Sequence, residues 1–407
     1  LNLERAVFIN DLMGALTDSG FRWLRTGSEA FSAMLAAIDN ATQSVRLETY
    51  IYQDSGIGER FRQALINSAK RGVRVNVLID GFGSYELSDS FWDGLKKVGG
   101  KVRKFNPLSL SRFVFRDHRK ILVCDEKVAF LGGFNIAPEY DGDGVQRGWC
   151  DHGIEVKGEL AMELARGFDD MFYRADIEHP SFARFRVTKS RRSVTIMHST
   201  LILTGPGRGG NMLKKWLLYD LRKANNVWIE TAYFLPTWRI RRELGKIISR
   251  GGSVRLILAG KSDVQLAKLA AQSLYWRLMQ RGVEIYEYQP QILHAKLMVV
   301  DNVVYIGSAN LDTRSLHIDY EVMLRIQDRY VASEARDILK QDLKHSLRVD
   351  PQTWLRTRGF MQKLKEKLAY FILARFDPLL ARYQIRKLMK ANNLKPTKNA
   401  PDEITPI

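Results

Sequence analysis

His118-Arg-Lys-Ile-Leu-Val-Cys-Asp125 and His294-Ala-Lys-Leu-Met-Val-Val-Asp301 share one pattern: His, a Lys two residues on, an apolar run, then Asp. Each leads into a second shared block, Gly132-Gly-Phe-Asn135 and Gly307-Ser-Ala-Asn310. The two pairs are offset by 176 and 175 residues. Three earlier blocks repeat in the same order. Ser44-Val-Arg-Leu-Glu-Thr-Tyr-Ile-Tyr52 matches Asn226-Val-Trp-Ile-Glu-Thr-Ala-Tyr-Phe234, Val75 matches Val254 and Pro107 matches Pro290, at offsets of 182, 179 and 183. Near-constant offsets in one order are the mark of a duplicated lobe with loop insertions.

Between the blocks the apolar spacing alternates between helix and strand. Helical periodicity covers 29–41, 58–71 and 89–98, then 213–224, 239–250 and 263–281. β-Branched runs at 45–52, 73–79, 227–233 and 254–258 suit buried strands. The expected fold class is α/β: two similar lobes, each a helix-flanked mixed sheet, related by a pseudo-twofold axis, with a helical basic tail. The expected domains are 1–190, 191–350 and 351–407, with the lobe boundary between His179 and Thr195.

Composition narrows the classes. The 407 residues are 45% hydrophobic with 30 Gly and 11 Pro, which excludes disordered and collagen-like chains. Two cysteines, Cys124 and Cys150, exclude a disulfide scaffold and a Cys-rich zinc site; they read as small core residues in a reducing compartment. No apolar run is long enough to cross a membrane. The chain opens at Leu1 rather than Met, leaving room for a removed N-terminal segment. A net charge of +18 calls for an anionic partner: nucleic acid, an acidic membrane surface or a phosphorylated substrate. The charge is uneven. Residues 351–407 hold twelve Lys/Arg against four Asp/Glu, and a second cluster runs through Arg184, Arg186, Lys189, Arg191 and Arg192.

Residues two apart on a strand share a face, so each His and its Lys point the same way. A hairpin centred between residues 126 and 127 brings Asn135 opposite His118, and one centred on 302 brings Asn310 opposite His294. Packing does not require this polar triplet twice. An ammonium beside each imidazole repels a divalent cation, so no metal is expected at the motif. Phosphate chemistry fits: Lys and Asn donate to non-bridging oxygens, and His acts as nucleophile or acid/base.

The double H-x-K-x-x-x-x-D motif with its downstream G-G/S-x-N resembles the phospholipase D superfamily. Glu48-Thr-Tyr-Ile51, Asp80-Gly-Phe-Gly-Ser84 and Gly307-Ser-Ala-Asn-Leu-Asp-Thr-Arg-Ser315 are more narrowly similar to bacterial cardiolipin synthases of the phospholipase D type. The likeness runs from about Gly27 to Asp328, and the chain departs from some members in having no N-terminal transmembrane hairpin. The resemblance implies one cleft faced by both motifs, with His118 as nucleophile and His294 as acid and then base. It implies Lys120, Lys296, Asn135 and Asn310 on the phosphate oxygens, and no cofactor. Asp125 and Asp301 are carried by the resemblance as site residues; their spacing alone makes them turn formers. Glu321 and Asp151 are candidate acidic partners for the imidazole Nδ1–H groups, or simply acidic residues at strand starts.

Three reactions remain open: transfer of a phosphatidyl group between two phosphatidylglycerols, lipid hydrolysis, or cleavage of nucleic acid. No regular aromatic–basic interleaving suits base stacking near the motifs, so anionic phospholipid rather than nucleic acid is the expected partner. The resemblance also implies a peripheral position on the cytoplasmic face of the cell membrane; no oligomeric state can be read. Leu364, Leu368, Phe371 and Ile372 fall at helical spacing among Lys363, Lys365 and Lys367, and Leu379, Leu380 and Tyr383 continue the pattern. Such a helix either lies in an anionic interface, packs on its own lobe, or docks its apolar side and turns its basic side to lipid. The apolar, basic loop at 107–116 is a candidate acyl-chain contact.

Overall fold

The computed structural model describes residues 20–106, 115–175, 192–206 and 211–376. The first lobe begins β1 (Phe21–Leu24), α1 (Gly27–Asn40), β2 (Ser44–Thr49), α2 (Gly56–Lys70), β3 (Arg74–Asp80), α3 (Asp93–Lys97) and β4 (Lys101–Phe105). It ends with β5 (Ile121–Cys124), β6 (Val128–Gly132), β7 (Gly153–Lys157) and α4 (Glu159–Ala175). Side-chain caps start its first two helices: Thr26 accepts from Glu29 N at 3.2 Å and Ser55 from Gly58 N at 3.3 Å.

The second lobe runs β8 (Arg192–Ile196), β9 (Ser199–Thr204), α5 (Met212–Lys223), β10 (Asn226–Thr231), α6 (Trp238–Ser249), β11 (Ser253–Ala259) and α7 (Gln265–Met279). It continues with β12 (Glu284–Tyr288), β13 (Lys296–Val300), β14 (Val303–Gly307), α8 (Thr313–His317), β15 (Glu321–Gln327), α9 (Arg329–Lys344) and β16 (Ser346–Arg348). Two tail helices follow, α10 (Pro351–Thr357) and α11 (Phe360–Phe371).

The strand orders show the duplication. The first sheet is β1-β7-β6-β5-β2-β3-β4, and the second is β9-β15-β14-β13-β10-β11-β12 with β8 and β16 added at its two edges. In each, three parallel strands (β2, β3, β4 or β10, β11, β12) join an antiparallel half, giving the expected mixed sheet. Alternation divides each hairpin strand between two cores. Ile121 and Val123 share one buried cluster with Leu297 and Val299 of the other lobe, while Leu122 and Cys124 face α1 and α2. The lobes are thus joined by a common apolar core.

Several expectations need correction. The segment 89–98 is not one helix: it splits into a 3-10 turn, Asp89–Trp92, and the short α3, where Trp92 turns into the core. His118 lies three residues before β5, because its stretch pairs with the other lobe: His118 N donates to Tyr320 O at 2.9 Å. The hairpin registers differ by one residue from those expected. Val123 pairs with Ala129 and Val300 with Val303, which sets Phe134 opposite His118 and Ala309 opposite His294. The ladders end at Gly132 and Gly307, so the asparagines are positioned by side-chain bonds beyond the sheet.

The tail also departs from the docked-apolar expectation. Leu364, Leu368 and Phe371 are exposed, and α11 instead seats Ala369 against Leu235 and Ala270. A small residue lets the helix axes approach closely. The 107–116 loop up to residue 114, the basic cluster from Arg184 to Arg191, most of the lobe boundary, and Leu379, Leu380 and Tyr383 lie outside the described residues.

Asp125 and Asp301 sit at the hairpin turns with φ of 55° and 50°, a left-handed backbone that Asp tolerates better than most residues. Asp125 accepts from the backbone N–H of Thr42, Gln43 and Ser44 at 2.9, 2.7 and 2.8 Å, which fixes the start of β2. Asp301 accepts from Asn226 N at 2.8 Å and Asn225 N at 3.1 Å, fixing β10 in the same way. Charge-assisted bonds of this kind contribute about 1–3 kcal/mol. Asp125→Ala should therefore lower the urea midpoint by a corresponding amount while Asp125→Asn loses less; equal stabilities would remove the clasp assigned to this carboxylate.

Candidate active site

Each histidine is held by a carboxylate from the opposite lobe. His118 Nδ1 lies 3.1 Å from both Glu321 oxygens, and His294 Nδ1 lies 2.6 Å from Asp151 Oδ2. Backbone bonds bring the strands together: Tyr320 N donates to Arg116 O at 2.9 Å, Cys150 N to Ile292 O at 2.9 Å and His294 N to Cys150 O at 2.7 Å. With Nδ1–H engaged, each Nε2 is the nitrogen turned to the cleft.

The carboxylates are themselves pinned. Ser308 Oγ donates to Glu321 and accepts from Val322 N at 3.0 Å. At the matching position Gly133 leaves the room: a Cβ there would stand 2.2 Å from Asp151 Oδ1. The Gly-Gly and Gly-Ser variants of the repeated block therefore follow the acid each must fit.

Lys120 Nζ donates to His118 O at 2.7 Å, and Lys296 donates to His294 O; both lysines are buried. Burial, then the charge of the two lysines, pushes His118 well below its ordinary range. Burial and Lys296 push His294 down to about 4. Burial brings Lys120 down to about 7 and lowers Lys296 as well. The acids differ. Burial raises Glu321 to about 7, whereas Asp151, despite its burial, is held below its usual value by Lys296 and His294.

Both histidines, Asn135 and Asn310 line one cleft of about 480 Å³. Asn135 Oδ1 accepts from Ile51 N at 3.0 Å, and its Nδ2 donates to Tyr140 Oη at 2.7 Å. Asn310 Oδ1 accepts from Thr231 Oγ1 at 3.4 Å. Tyr140 Oη in turn stands 3.3 Å from His294 Nε2, a cross-lobe contact that the sequence reading missed. Tyr50 and Trp149 flank the imidazoles, with ring centroids 4.9 Å from His118 and 5.6 Å from His294. The extra length of the 139–148 loop, which holds Tyr140 and leads into Trp149, is the signal that could have found them. Asp125 and Asp301 do not line this cleft; six residues of mostly extended chain separate each from its histidine, about 20 Å.

The stretches 34–145 and 218–343 match the family model described as "Cardiolipin synthase, PLD-like domain". The chain is 30% identical over 364 residues to cardiolipin synthase B of Salmonella typhi, covering 88% of each. Cardiolipin synthase 1 of Bacillus cereus is 29% identical over 371 residues, covering 88% of this chain and 72% of the relative. The chain belongs to the cardiolipin synthase family of phospholipase D-like proteins. A solved structure described as a phosphatidylserine synthase from Haemophilus influenzae superposes with a TM-score of 0.70 over 90% of this chain and 96% of that one; at 16% identity it supports the fold alone. Each of the two stretches matched by the cardiolipin synthase family model contains one H-x-K pair, His118 with Lys120 and His294 with Lys296, whereas Asp151 falls beyond the first stretch.

The depressed histidines leave a mark on stability. An imidazole in the unfolded chain takes its proton near 6.5, but His294 in the fold does so only near 4. Stability from this source is full above 6.5 and lost as pH falls toward 4. A His118→Gln/His294→Gln double variant should show a shallower fall in denaturant-measured stability over that window. An unchanged slope would contradict the burial of two neutral imidazoles.

Proposed function

We propose that this chain is a phosphatidyltransferase that joins two phosphatidylglycerol molecules into cardiolipin and releases glycerol. The observation that carries this reading is the pair of imidazoles facing one cleft, each backed by a carboxylate and a lysine. The neutral His118 Nε2 attacks phosphorus, and the bond from phosphorus to the glycerol oxygen breaks. His294 Nε2–H gives its proton to that oxygen, so glycerol leaves neutral and the phosphatidyl group stays on His118. A hydroxyl of the second phosphatidylglycerol then attacks phosphorus, losing its proton to His294 Nε2. The P–N bond breaks, and His118 and protonated His294 are restored.

His294 is hard to protonate in the empty cleft. An incoming phosphodiester anion raises its affinity for a proton, so acid and substrate arrive together. Lys120 and Lys296, with Asn135 and Asn310 on the cleft wall, hold the non-bridging oxygens. No step calls on a metal or cofactor. Aromatic walls, including Tyr50, Phe82, Trp149 and Phe234, favour a lipid alcohol over water as acceptor.

His118→Ala and His294→Ala should each lower turnover by about three orders of magnitude or more, as expected when a member of a nucleophile–acid pair is removed. Quenching a reaction with labelled lipid in neutral denaturant, which spares the acid-labile P–N bond, should leave the phosphatidyl label on His118, and label on His294 would reverse the roles. Mass spectrometry of products from phosphatidylglycerol liposomes should show cardiolipin; phosphatidic acid as the main product would favour hydrolysis.

We further infer that the enzyme lies on the cytoplasmic face of an anionic membrane, where its two free thiols suit a reducing side. Among the described residues no helix is long and apolar enough to cross a bilayer. Yet α11 exposes Phe360, Met361, Leu364, Leu368 and Phe371, a single face at helical spacing, with exposed Lys363, Lys365 and Lys367 beside it. Leu373, just past this helix, and the exposed Val264 both line the cleft. The apolar face therefore sits beside the route by which a lipid headgroup would enter. Burying one such side chain in lipid contributes about 1.5–3 kcal/mol. A Leu364→Asp/Leu368→Asp/Phe371→Asp variant should lose at least about tenfold in liposome binding and keep turnover of a soluble phosphodiester. Unchanged liposome binding would move the membrane contact elsewhere.

A further inference from the structure

Asp151 is flanked by two residues that play no part in the cleft. Successive side chains of an extended stretch point to opposite sides, so Cys150 and His152 turn away from His294 while Asp151 turns toward it. They meet Glu230 of β10 and Asp342 of α9, and the four donor atoms lie within 4.8 Å of one another, all buried. His152 Nε2 stands 2.9 Å from Asp342 Oδ2 and 3.2 Å from Glu230 Oε2; Cys150 Sγ stands 3.8 Å from Asp342 Oδ1.

We propose that Cys150, His152, Glu230 and Asp342 form a structural zinc site that joins the two lobes behind the catalytic cleft.

Three observations support this. A tetrahedral zinc with N and O ligands near 2.1 Å and sulfur near 2.3 Å has ligand–ligand edges of about 3.3–3.7 Å. His152 Nε2 stands 2.9 Å from Asp342 Oδ2 and 3.2 Å from Glu230 Oε2, just short of those edges, and the four donor atoms lie within 4.8 Å of one another, so small side-chain shifts seat an ion among them. Second, His152 Nδ1 lies 3.2 Å from Arg25 O. A backbone carbonyl there holds Nδ1–H and leaves Nε2 as a ligand lone pair, the usual outer arrangement of a metal-bound histidine. Third, Glu230 is fully buried, and its one neighbour among these groups able to carry positive charge is His152, whose Nε2 stands 3.2 Å from Oε2. A buried carboxylate is stabilised by a nearby positive charge, which a bound ion at the centre of the four donors would supply.

The matching niche of the other repeat provides a contrast. There Glu48, the counterpart of Glu230, likewise has both oxygens buried without a hydrogen bond, but the charge of Arg119 acts on it, a fixed cation supplied by the chain. Ala295 stands at the position of Arg119 in the second repeat, so the corresponding charge must come from His152 or from a bound ion. One thiolate, one imidazole and two carboxylates are a mixed S, N, O set suited to zinc rather than to magnesium or calcium. The first lobe contributes Cys150 and His152 and the second Glu230 and Asp342, so the ion would fix the stretch that aims Asp151 at His294. Its role is structural, because all four positions are occupied by protein and none is open to substrate.

The test uses the full chain, purified in neutral detergent with a non-chelating reductant. After equimolar zinc and gel filtration, elemental analysis should find about one zinc per chain. Cobalt(II) in its place should give a thiolate-to-cobalt charge-transfer band together with the visible bands of a four-coordinate ion. Cys150→Ser should abolish the charge-transfer band, and Asp342→Asn should weaken zinc binding at least tenfold. His294→Ala should keep both metal and band. Wild-type protein that retains no zinc, or that binds cobalt with no thiolate band, overturns the site without appeal to any variant. Metal lost in His294→Ala but kept in Cys150→Ser overturns it too, placing the ion in the cleft.

Discussion

The exchange of carboxylates between lobes is the contact on which the rest of the structure depends. His118 has its acid on β15 and His294 has its acid just before β7, so neither lobe contains a complete pair. A bond that crosses an interface forms only if the interface is reproducible to a few tenths of an ångström. The shared apolar core supplies the driving force for association, since Val123, Leu131 and Ile154 pack with Val299, Ile306 and Val322. Apolar burial is non-directional, however. Register comes from the backbone bridges at Asp117–Tyr320 and Cys150–Leu293, which lie immediately beside His118 and His294. Folding of the lobes against each other and assembly of the site are the same event.

Burying two lysines, two histidines and two carboxylates together is costly unless charges are matched. Here the match is uneven, and the unevenness is informative. Burial brings Lys120 down and Glu321 up, each to about 7, so neither charge of the His118 half is strongly held. The other half keeps an ionised Asp151 against His294 and Lys296. An imidazolium is better supported beside a fixed carboxylate than beside one that is readily protonated. That accords with the proposal of His294 as the proton carrier and His118 as the nucleophile.

Much of this was legible in the sequence because a duplication reports itself. The alternation of strands and helices, a mixed sheet in each lobe and the pairing of His with Lys follow from spacing within a lobe. Spacing has no access to the partner lobe, so the crossing of Glu321 to His118 and of Asp151 to His294 could not be read from it. Tyr140 was missed for the same reason: its hydroxyl reaches His294 from a loop of the other repeat. The hairpin register was missed by one residue because it was judged from the ends of the motif, while the ladder is set by turns of unequal length at 125–127 and 301–302. On the tail, helical spacing located the apolar face of α11 but said nothing of which face would dock. Close approach to α7 selected Ala369, and the large side chains were left outside.

Where the two repeats differ is where the chain departs from a symmetric dimer of half-sites. Gly133 makes room for the short Asp151, and Ser308 reaches the longer Glu321. The loop after Asn135 carries Tyr140 across to His294, while the stretch after Asn310 instead winds into α8, capped by Asp312 on Ser315 N. Apolar α11 sits on the second lobe, with Leu373 beside it on the cleft wall. Two half-sites of identical structure would give two histidines of identical proton affinity, each equally ready to attack or to donate. In a transfer reaction that holds one lipid on nitrogen while admitting another, a built-in difference between the two favours one division of roles over the other. The departures from symmetry cluster around the imidazoles, at their acids, their aromatic neighbours and the mouth of the cleft, which is where such a difference can be set without disturbing the duplicated sheets beneath.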